Sequence, residues 1–235
     1  MPGDKILVFG GTGPAGICLL RELAHGNHAA IVYVRNPAKL PEELAKHPLL
    51  EVVKGEMSDR ETLSAAMSRS STVLSLLGPQ ISDRKIDPSL YADMYKNYIF
   101  PLMRQHGVRR IVAMGTVSIQ RTEDHWTAFQ FMVVCFMRLF SGTLYRNMLN
   151  LADAFDRDAA GLDWTVFRIA QIPGEPDEES WRKDRDDGEV SVGWIGEKGW
   201  SSSIKRALLA RWLVDAAEGK ADEWIGKMPA ISRGS

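Results

Sequence analysis

A short apolar run that breaks directly into glycines constrains this chain more than any other feature. Residues 5–9 (KILVF) are followed at once by GGTGPAG and then by a helical period over residues 17–24. A continuous run of branched and aromatic residues reads as a strand buried on both faces. Similar runs recur at residues 29–34, 50–53, 72–77 and 110–114. Helical stretches are predicted between them at 41–46, from a cap at Ser58 or Asp59 to Met67, and at 88–105, with Gly107 past the end of the last. Buried strands alternating with helices require a parallel sheet covered on both sides. Right-handed crossovers then make it doubly wound, the α/β architecture of the Rossmann type.

The pattern loosens after residue 120. Residues 126–138 and 144–160 are predicted helical, 164–169 a strand and 204–218 an amphipathic helix. Residues 173–199 are charged and rich in Gly, Pro and Asp, and read as an irregular loop with one strand at 190–194. No internal repeat or linker divides the chain. We therefore read residues 1–235 as one domain, with 1–120 the dinucleotide-binding core and 121–235 a small C-terminal extension holding most substrate-side elements.

The glycines Gly10, Gly13 and Gly16 each have a physical task. A tight strand-to-helix turn needs a residue tolerant of positive φ. The backbone must approach a diphosphate without a Cβ in the way, and the helix must pack closely on the strand. The anion then sits on free N–H groups at a helix N-terminus. Pro14 suits the first helical turn, where its missing N–H would be unpaired anyway. At the end of the second strand, IVYVRNPAKL places Arg35 where an acidic residue would bind a ribose 2′-hydroxyl and an arginine accommodates a 2′-phosphate. No Asp or Glu stands there, so NADP(H) is expected over NAD(H). The alternative for Arg35 is an ordinary solvated strand-end charge.

Composition excludes several other classes. A formal net charge of −1 gives no reason to expect nucleic acid or an anionic membrane as partner. Two cysteines, Cys18 and Cys135, allow no disulfide framework or zinc spacing, and both lie in apolar surroundings typical of small core residues. The longest apolar stretch, 129–140, contains Gln130 and Arg138 and is too short to span a bilayer. With no leader-like segment before the first strand, a cytoplasmic protein is expected.

The segments GGTGPAG, VRNPAKL, GEMSDRETL, VLSLLGP, GVRRIVAMGT and GLDWTVFR occur in the order seen in atypical short-chain dehydrogenase/reductases. The chain resembles their NmrA-like, NAD(P)-binding members along nearly its whole length. Its later part, 142–174 with a tail at 224–227, is similar to a fungal branch found among accessory enzymes of natural-product pathways. The resemblance implies that Gly10, Thr12, Gly13, Pro14 and Ala15 hold the diphosphate and that Arg35 takes the 2′-phosphate. It places Met57 beside the adenine, Leu77, Gly78 and Pro79 under the ribose, and Met114, Gly115 and Thr116 at the nicotinamide. Ala170, Gln171 and Ile172 would close over the nicotinamide.

Short-chain dehydrogenases of the usual kind use Tyr-x-x-x-Lys, but here Tyr145 is followed at the fourth position by Leu149. Arg146 is adjacent, does not share a helix face with Tyr145, and cannot cycle protons. Tyr91 and Lys96 come too early and at the wrong spacing. Acid–base candidates are then Thr116 or Ser118 after the fifth strand, Tyr145, and His125 in RTEDHWTAF. Against these stand a self-satisfied strand-end hydroxyl, a core aromatic and a solvated loop histidine. The aromatic stretch 126–140 could roof a pocket for a flat apolar substrate, with Trp181, Trp194 and Trp200 contributing. It could equally be a core helix or a homodimer face. His25, His28, His47 and His106 are scattered and form no metal constellation. Three functions compete: an NADP(H)-dependent reductase of a carbonyl or conjugated alkene on a hydrophobic small molecule, a non-redox isomerase, epimerase, dehydratase or cyclase, and a non-catalytic redox sensor.

Overall fold

In the computed structural model, which describes residues 3–79 and 86–234, eight strands form one sheet. They are β1 (Lys5–Phe9), β2 (Ala30–Val34), β3 (Leu50–Lys54), β4 (Ser70–Ser75), β5 (Arg110–Thr116), β6 (Asp163–Ile169), β7 (Val190–Gly193) and β8 (Ala230–Arg233). Their spatial order is β3-β2-β1-β4-β5-β6-β8-β7. All neighbours pair in parallel except β7 and β8. The order reverses between β1 and β4, so the chain's first crevice opens beyond the carboxyl ends of those two strands.

Alternation along each strand builds two cores. Ile6 and Val8 of β1 face one side, with Leu19, Leu20 and Leu23 of α1 (Pro14–His25) and Leu208, Leu209 and Leu213 of the last long helix, Arg206–Ala217. Leu7 and Phe9 face the other, with Leu63 of the helix Arg60–Met67, Phe100 and Met103 of Phe100–His106, and Leu151 and Phe155 of Gly142–Asp158. A side-chain period of two on strands buried on both faces produces this division.

In chain order the helices are α1, α2 (Glu42–Ala45), α3 (Arg60–Met67), α4 (Leu90–Met94), α5 (Phe100–His106), α6 (Ala128–Phe140), α7 (Gly142–Asp158), α8 (Glu178–Asp184) and α9 (Arg206–Ala217). Of the two candidate caps for α3, Asp59 acts: its carboxylate accepts from Thr62 N at 3.1 Å. The single long helix expected over 88–105 is broken by a π-turn at Tyr95–Ile99. That turn seats the fully buried Tyr95, whose hydroxyl meets Ser75 Oγ at 2.6 Å at the end of β4.

Two elements differ from expectation. The irregular segment before β7 contains α8, capped by Asp177 on Ser180 N and anchored by the buried Trp181. The tail adds β8, which inserts between β6 and β7. Among the described residues no single helix is long and apolar enough to cross a membrane. Helices α6 and α7 reach that length only together, across a bend of 117°.

Candidate cofactor and substrate site

The turn after β1 divides three tasks among its glycines. Gly10 has φ +79°, and a Cβ there would lie 2.8 Å from Leu76 O, so a side chain is opposed by both strain and contact. At Gly16 a Cβ would meet Gly10 O at 2.2 Å, so glycine lets α1 lie against the turn. Gly13 is extended at φ −78°, and a Cβ there would meet only Gly10 O at 3.6 Å. Its smallness serves nothing inside the protein and leaves the outer face open to a ligand. Helix α1 starts at Pro14 with no side-chain cap and no acidic residue in its first turn. The N–H groups around Ala15 are thus presented to an anion with the helix dipole behind them.

Beside this turn lies a cavity of about 180 Å³ lined by Gly10, Thr12, Tyr33, Arg35, Met57 and Leu77, among others. Tyr33 and Arg35 share a side of β2 because they are two residues apart. Arg35 is exposed at the lip and, among the described residues, has no carboxylate partner. Tyr33 and Gly55 were not singled out from sequence, where Tyr33 reads as one more apolar strand residue. The Tyr33 hydroxyl donates to Glu56 O at 2.9 Å, and a Cβ on Gly55 would come within 2.2 Å of the Tyr33 hydroxyl oxygen. The ring thereby holds the segment that carries Met57. Burial, then the Asp59 and Glu56 charges, push its phenol up to about 12, so it stays protonated.

A second cavity, about 480 Å³, opens at the ends of β5 and β6. The segment 77–79 joins the two: Leu77 lines the first and Pro79 the second. Between them, a Cβ on Gly78 would meet Met114 Cε at 2.6 Å. Met114 and Thr116, two apart on β5, face the second cavity. Gly115 between them faces the other way, where a Cβ would strike Val166 at 2.9 Å and Ile119 at 3.0 Å. Its missing side chain therefore serves packing, and Gly115, which the resemblance placed at the nicotinamide, is not in the lining of the second cavity. Of the closing segment, Ala170 and Gln171 line the cavity, while Ile172 packs against the core on the α1 side.

Thr116 and Ser118 are brought together, their hydroxyl oxygens 2.6 Å apart. Ser118 is buried and both line the cavity. The other two acid–base candidates are not brought there. Tyr145 is buried on α7 with Arg138 over its ring at 5.7 Å, while its helix neighbours Leu144 and Met148 face the cavity. Tyr145 itself is not in that lining. His125 is exposed outside the lining, its backbone N donating to Ile195 O at 2.8 Å.

The neighbour of His125 explains its position. Asp124 turns inward to Arg168, which is fully buried on β6, through two bonds of 2.6 and 2.7 Å. Arg168 also donates to Met228 O at 2.6 Å and Ile119 O at 2.8 Å, and lies over the Trp194 ring at 5.9 Å. Asp124 accepts further from Arg121 N, Ile195 N and Gln130 Nε2. Although burial alone would raise the Asp124 carboxyl, the Arg168 bonds and charge hold it below the usual carboxylate range. One ion pair so fixes the loop after Thr116, the start of α6, the loop before Trp200 and the approach to β8. The sequence carries no signal that these two residues, 44 apart, would pair.

Phe129, Val133, Phe136 and Met137 of α6 form the cavity's roof. Trp200 supports it by packing on Phe129 at 6.2 Å, and Trp194 stands over Arg168. Trp181 does not take part: it is buried against α1, with its Nε1 donating to Glu22 at 3.1 Å. Cys18 is a core residue as expected, and burial pushes its thiol up to about 11. Cys135 is instead half-exposed on α6. Among the described residues no group of His, Cys, Asp and Glu is placed to hold a metal.

With this geometry in place, residues 10–220 match the model of a family described as NAD(P)H-binding. The chain belongs to that NAD(P)H-binding family. Solved structures agree on the fold. A short-chain dehydrogenase/reductase (wide type) from Veillonella parvula DSM 2008, in complex with NADP, aligns with a TM-score of 0.72 at 13% identity, covering 98% of this chain and 94% of that one. A putative NAD-dependent epimerase/dehydratase from Bacillus halodurans gives 0.67 at 20% identity, covering 99% and 95%. An anaerobillin reductase from Escherichia coli O157:H7 gives 0.67 at 12%, covering 97% of each. An NAD(P)H-binding chain with a Rossmann-type sheet therefore stands on both sequence family and topology.

Proposed function

We propose that this protein is an NADP(H)-dependent reductase of a carbonyl or conjugated alkene on a flat, apolar small molecule. The observation that carries the reading is the Thr116–Ser118 hydroxyl pair in a mostly apolar cavity, whose other polar side chain is Gln171, beside the cofactor crevice. When Ser118 donates to Thr116, the Thr116 hydrogen is free to donate. An unpaired hydroxyl facing apolar walls is costly, so the site favours an acceptor such as a substrate carbonyl. The bound reduced nicotinamide supplies hydride. The chain's own part is to hold the acceptor by Thr116, press the apolar body between Met114 and the α6 roof, and exclude water. Thr116 polarises and orients, and the proton comes from water at the cavity mouth.

The preference for the phosphorylated cofactor rests on Arg35, which stands at the lip of the first cavity with no carboxylate partner among the described residues. A planar guanidinium there matches a phosphate dianion. The resemblance of residues 142–174 to NmrA-like accessory enzymes of natural-product pathways favours an apolar aromatic substrate. So does the roof of Phe129, Phe136 and Met137.

The non-redox alternatives fit the cavity less well. Epimerisation or dehydration by proton abstraction needs a positioned base. Among the described residues the lining of the second cavity contains no Asp, Glu, His, Lys, Cys or Tyr. Hydride transfer, with a neutral hydroxyl to orient the acceptor, makes the smaller demand on such a lining.

The test has two stages. Calorimetric titration with NADPH, NADP⁺ and NADH is expected to show tight binding of the first two only. Absorbance of reduced nicotinamide is then followed with a panel of aromatic quinones and enones. Consumption of NADPH that falls at least tenfold in kcat in Thr116→Val, with KM little changed, is the expected result. Substrate conversion without cofactor turnover would replace the reductase by an isomerase. Binding with no conversion of any compound would leave a sensor.

A further inference from the structure

The helix that roofs the second cavity has a second apolar face that is largely exposed. Phe131, Met132 and Leu139 of α6 are 58%, 61% and 76% exposed, and Phe140 at its end is 68% exposed. Cys135 lies within this stripe, at i+4 from Phe131 and i−4 from Leu139, so the three share one face. Phe136 belongs to both faces, lining the cavity while 57% exposed. Trp126, 78% exposed, extends the patch ahead of the helix. An aromatic side chain buries about 150–250 Å². The exposed parts of these residues then amount to roughly 700–800 Å², beyond the few hundred Å² of an ordinary monomer's largest apolar patch. The figure is close to the roughly 800 Å² that each partner contributes to a standard interface.

We infer that this face is where two copies of the chain meet, with α6 packed antiparallel on the same helix of the second copy about a two-fold axis near Cys135. A single patch meeting itself is the isologous arrangement that closes a dimer. Cys135 is small and central while larger residues flank it, so the helices can approach closely at the axis. The antiparallel setting opposes the two helix dipoles. It also brings the Arg138 end of one helix toward the exposed Glu123 before the other.

A membrane surface fits this face less well. Interfacial helices carry several Lys or Arg on their polar side, and basic clusters of four or more are the usual anionic-lipid signal. Helix α6 has one cation, Arg138, and its remaining sides are taken by the cavity and by Gln130 and Val134 against the body. Because Phe136 is shared, the second copy also covers one wall of the substrate cavity. The inference does not depend on what reaction occurs there.

The test is sedimentation and light-scattering mass of the full chain at micromolar concentration. Twice the 26.2 kDa protomer mass is expected. Phe131→Glu/Leu139→Glu should halve that mass while leaving the circular dichroism spectrum and NADPH affinity unchanged. Mild oxidation should give a reducible cross-linked dimer that is lost in Cys135→Ser, since Cys18 is buried and cannot substitute. A monomer at every concentration overturns the inference, as does a dimer that survives the double glutamate variant. A dimer with no Cys135 cross-link overturns the antiparallel register. A monomer that floats with phosphatidylcholine/phosphatidylserine vesicles, and loses that property in the double variant, assigns the face to membrane instead.

Discussion

Removing the carboxylate of Asp124 tests how the substrate side is held together. In Asp124→Ala the guanidinium of Arg168 keeps its bonds to Met228 O and Ile119 O but loses both bonds to the acid. The side chain of Arg168 is 0% exposed and that of Asp124 6%, so water cannot take the acid's place without opening the loop. Breaking a buried pair by removing one partner costs about 3–5 kcal/mol, because the other charge is left uncompensated. The backbone N–H groups of Arg121 and Ile195 lose their acceptor as well, which places the expected cost in the upper half of that range. For a domain of this size 1 kcal/mol corresponds to about 2–4 °C in Tm, so a fall of about 8–20 °C is expected. Urea denaturation gives ΔG and scanning calorimetry gives Tm. A paired replacement, Asp124→Leu with Arg168→Met, should recover much of the loss, because it leaves no unpaired charge. A loss below about 1 kcal/mol in Asp124→Ala would refute the assignment of this pair as the anchor of the substrate side.

Other outcomes follow from the same structure. The Asp124 carboxyl is held below the range it has in the unfolded chain, so its contribution is fully present above the unfolded pKa of about 4 and is lost as pH falls through the lower folded value. Stability measured by urea titration should therefore decline below about pH 4, and Asp124→Asn should flatten that decline. Arg35→Ala should weaken NADPH binding by about 10- to 150-fold, the worth of about 1.5–3 kcal/mol for bonds to a charged group. NADH binding should change little, and equal losses for both in calorimetry would refute the 2′-phosphate role. Gly13→Val should abolish cofactor binding in a folded protein, since a Cβ there meets nothing closer than 3.6 Å. Gly16→Val should instead destabilise the fold itself by about 2 kcal/mol or more, because backbone lies 2.2 Å from the new Cβ. The two glycine variants showing the same stability would contradict that division.

The elements read correctly from sequence are those whose signal is local. Strands β1 to β6 are runs of apolar residues, and such a run needs no partner to be recognised. The α1 cap-free start follows from Gly13 and Pro14, and the Asp59 cap of α3 from its place before a helical period. Strand β8 escaped because its four residues, AISR, carry no periodicity, and only pairing with Arg168 and with β7 makes them a strand. Helix α8 escaped because its charged sequence hides one buried apolar residue, Trp181.

At the site the same boundary holds. The glycine turn and Arg35 could be proposed from sequence because a diphosphate site asks for residue types at fixed offsets from a strand end. By itself the sequence therefore determined the doubly wound sheet, an NAD(P)-binding chain and the lack of a Tyr-x-x-x-Lys spacing. Tertiary structure decided which hydroxyls meet, that Tyr145 and His125 lie outside the cavity lining, and that a side chain at Gly115 would strike Val166 and Ile119. It also decided that Asp124 and Arg168 pair in the interior. Each of these depends on the rotation of a side chain about its element or on contacts between residues far apart in the chain. Local periodicity carries no record of either.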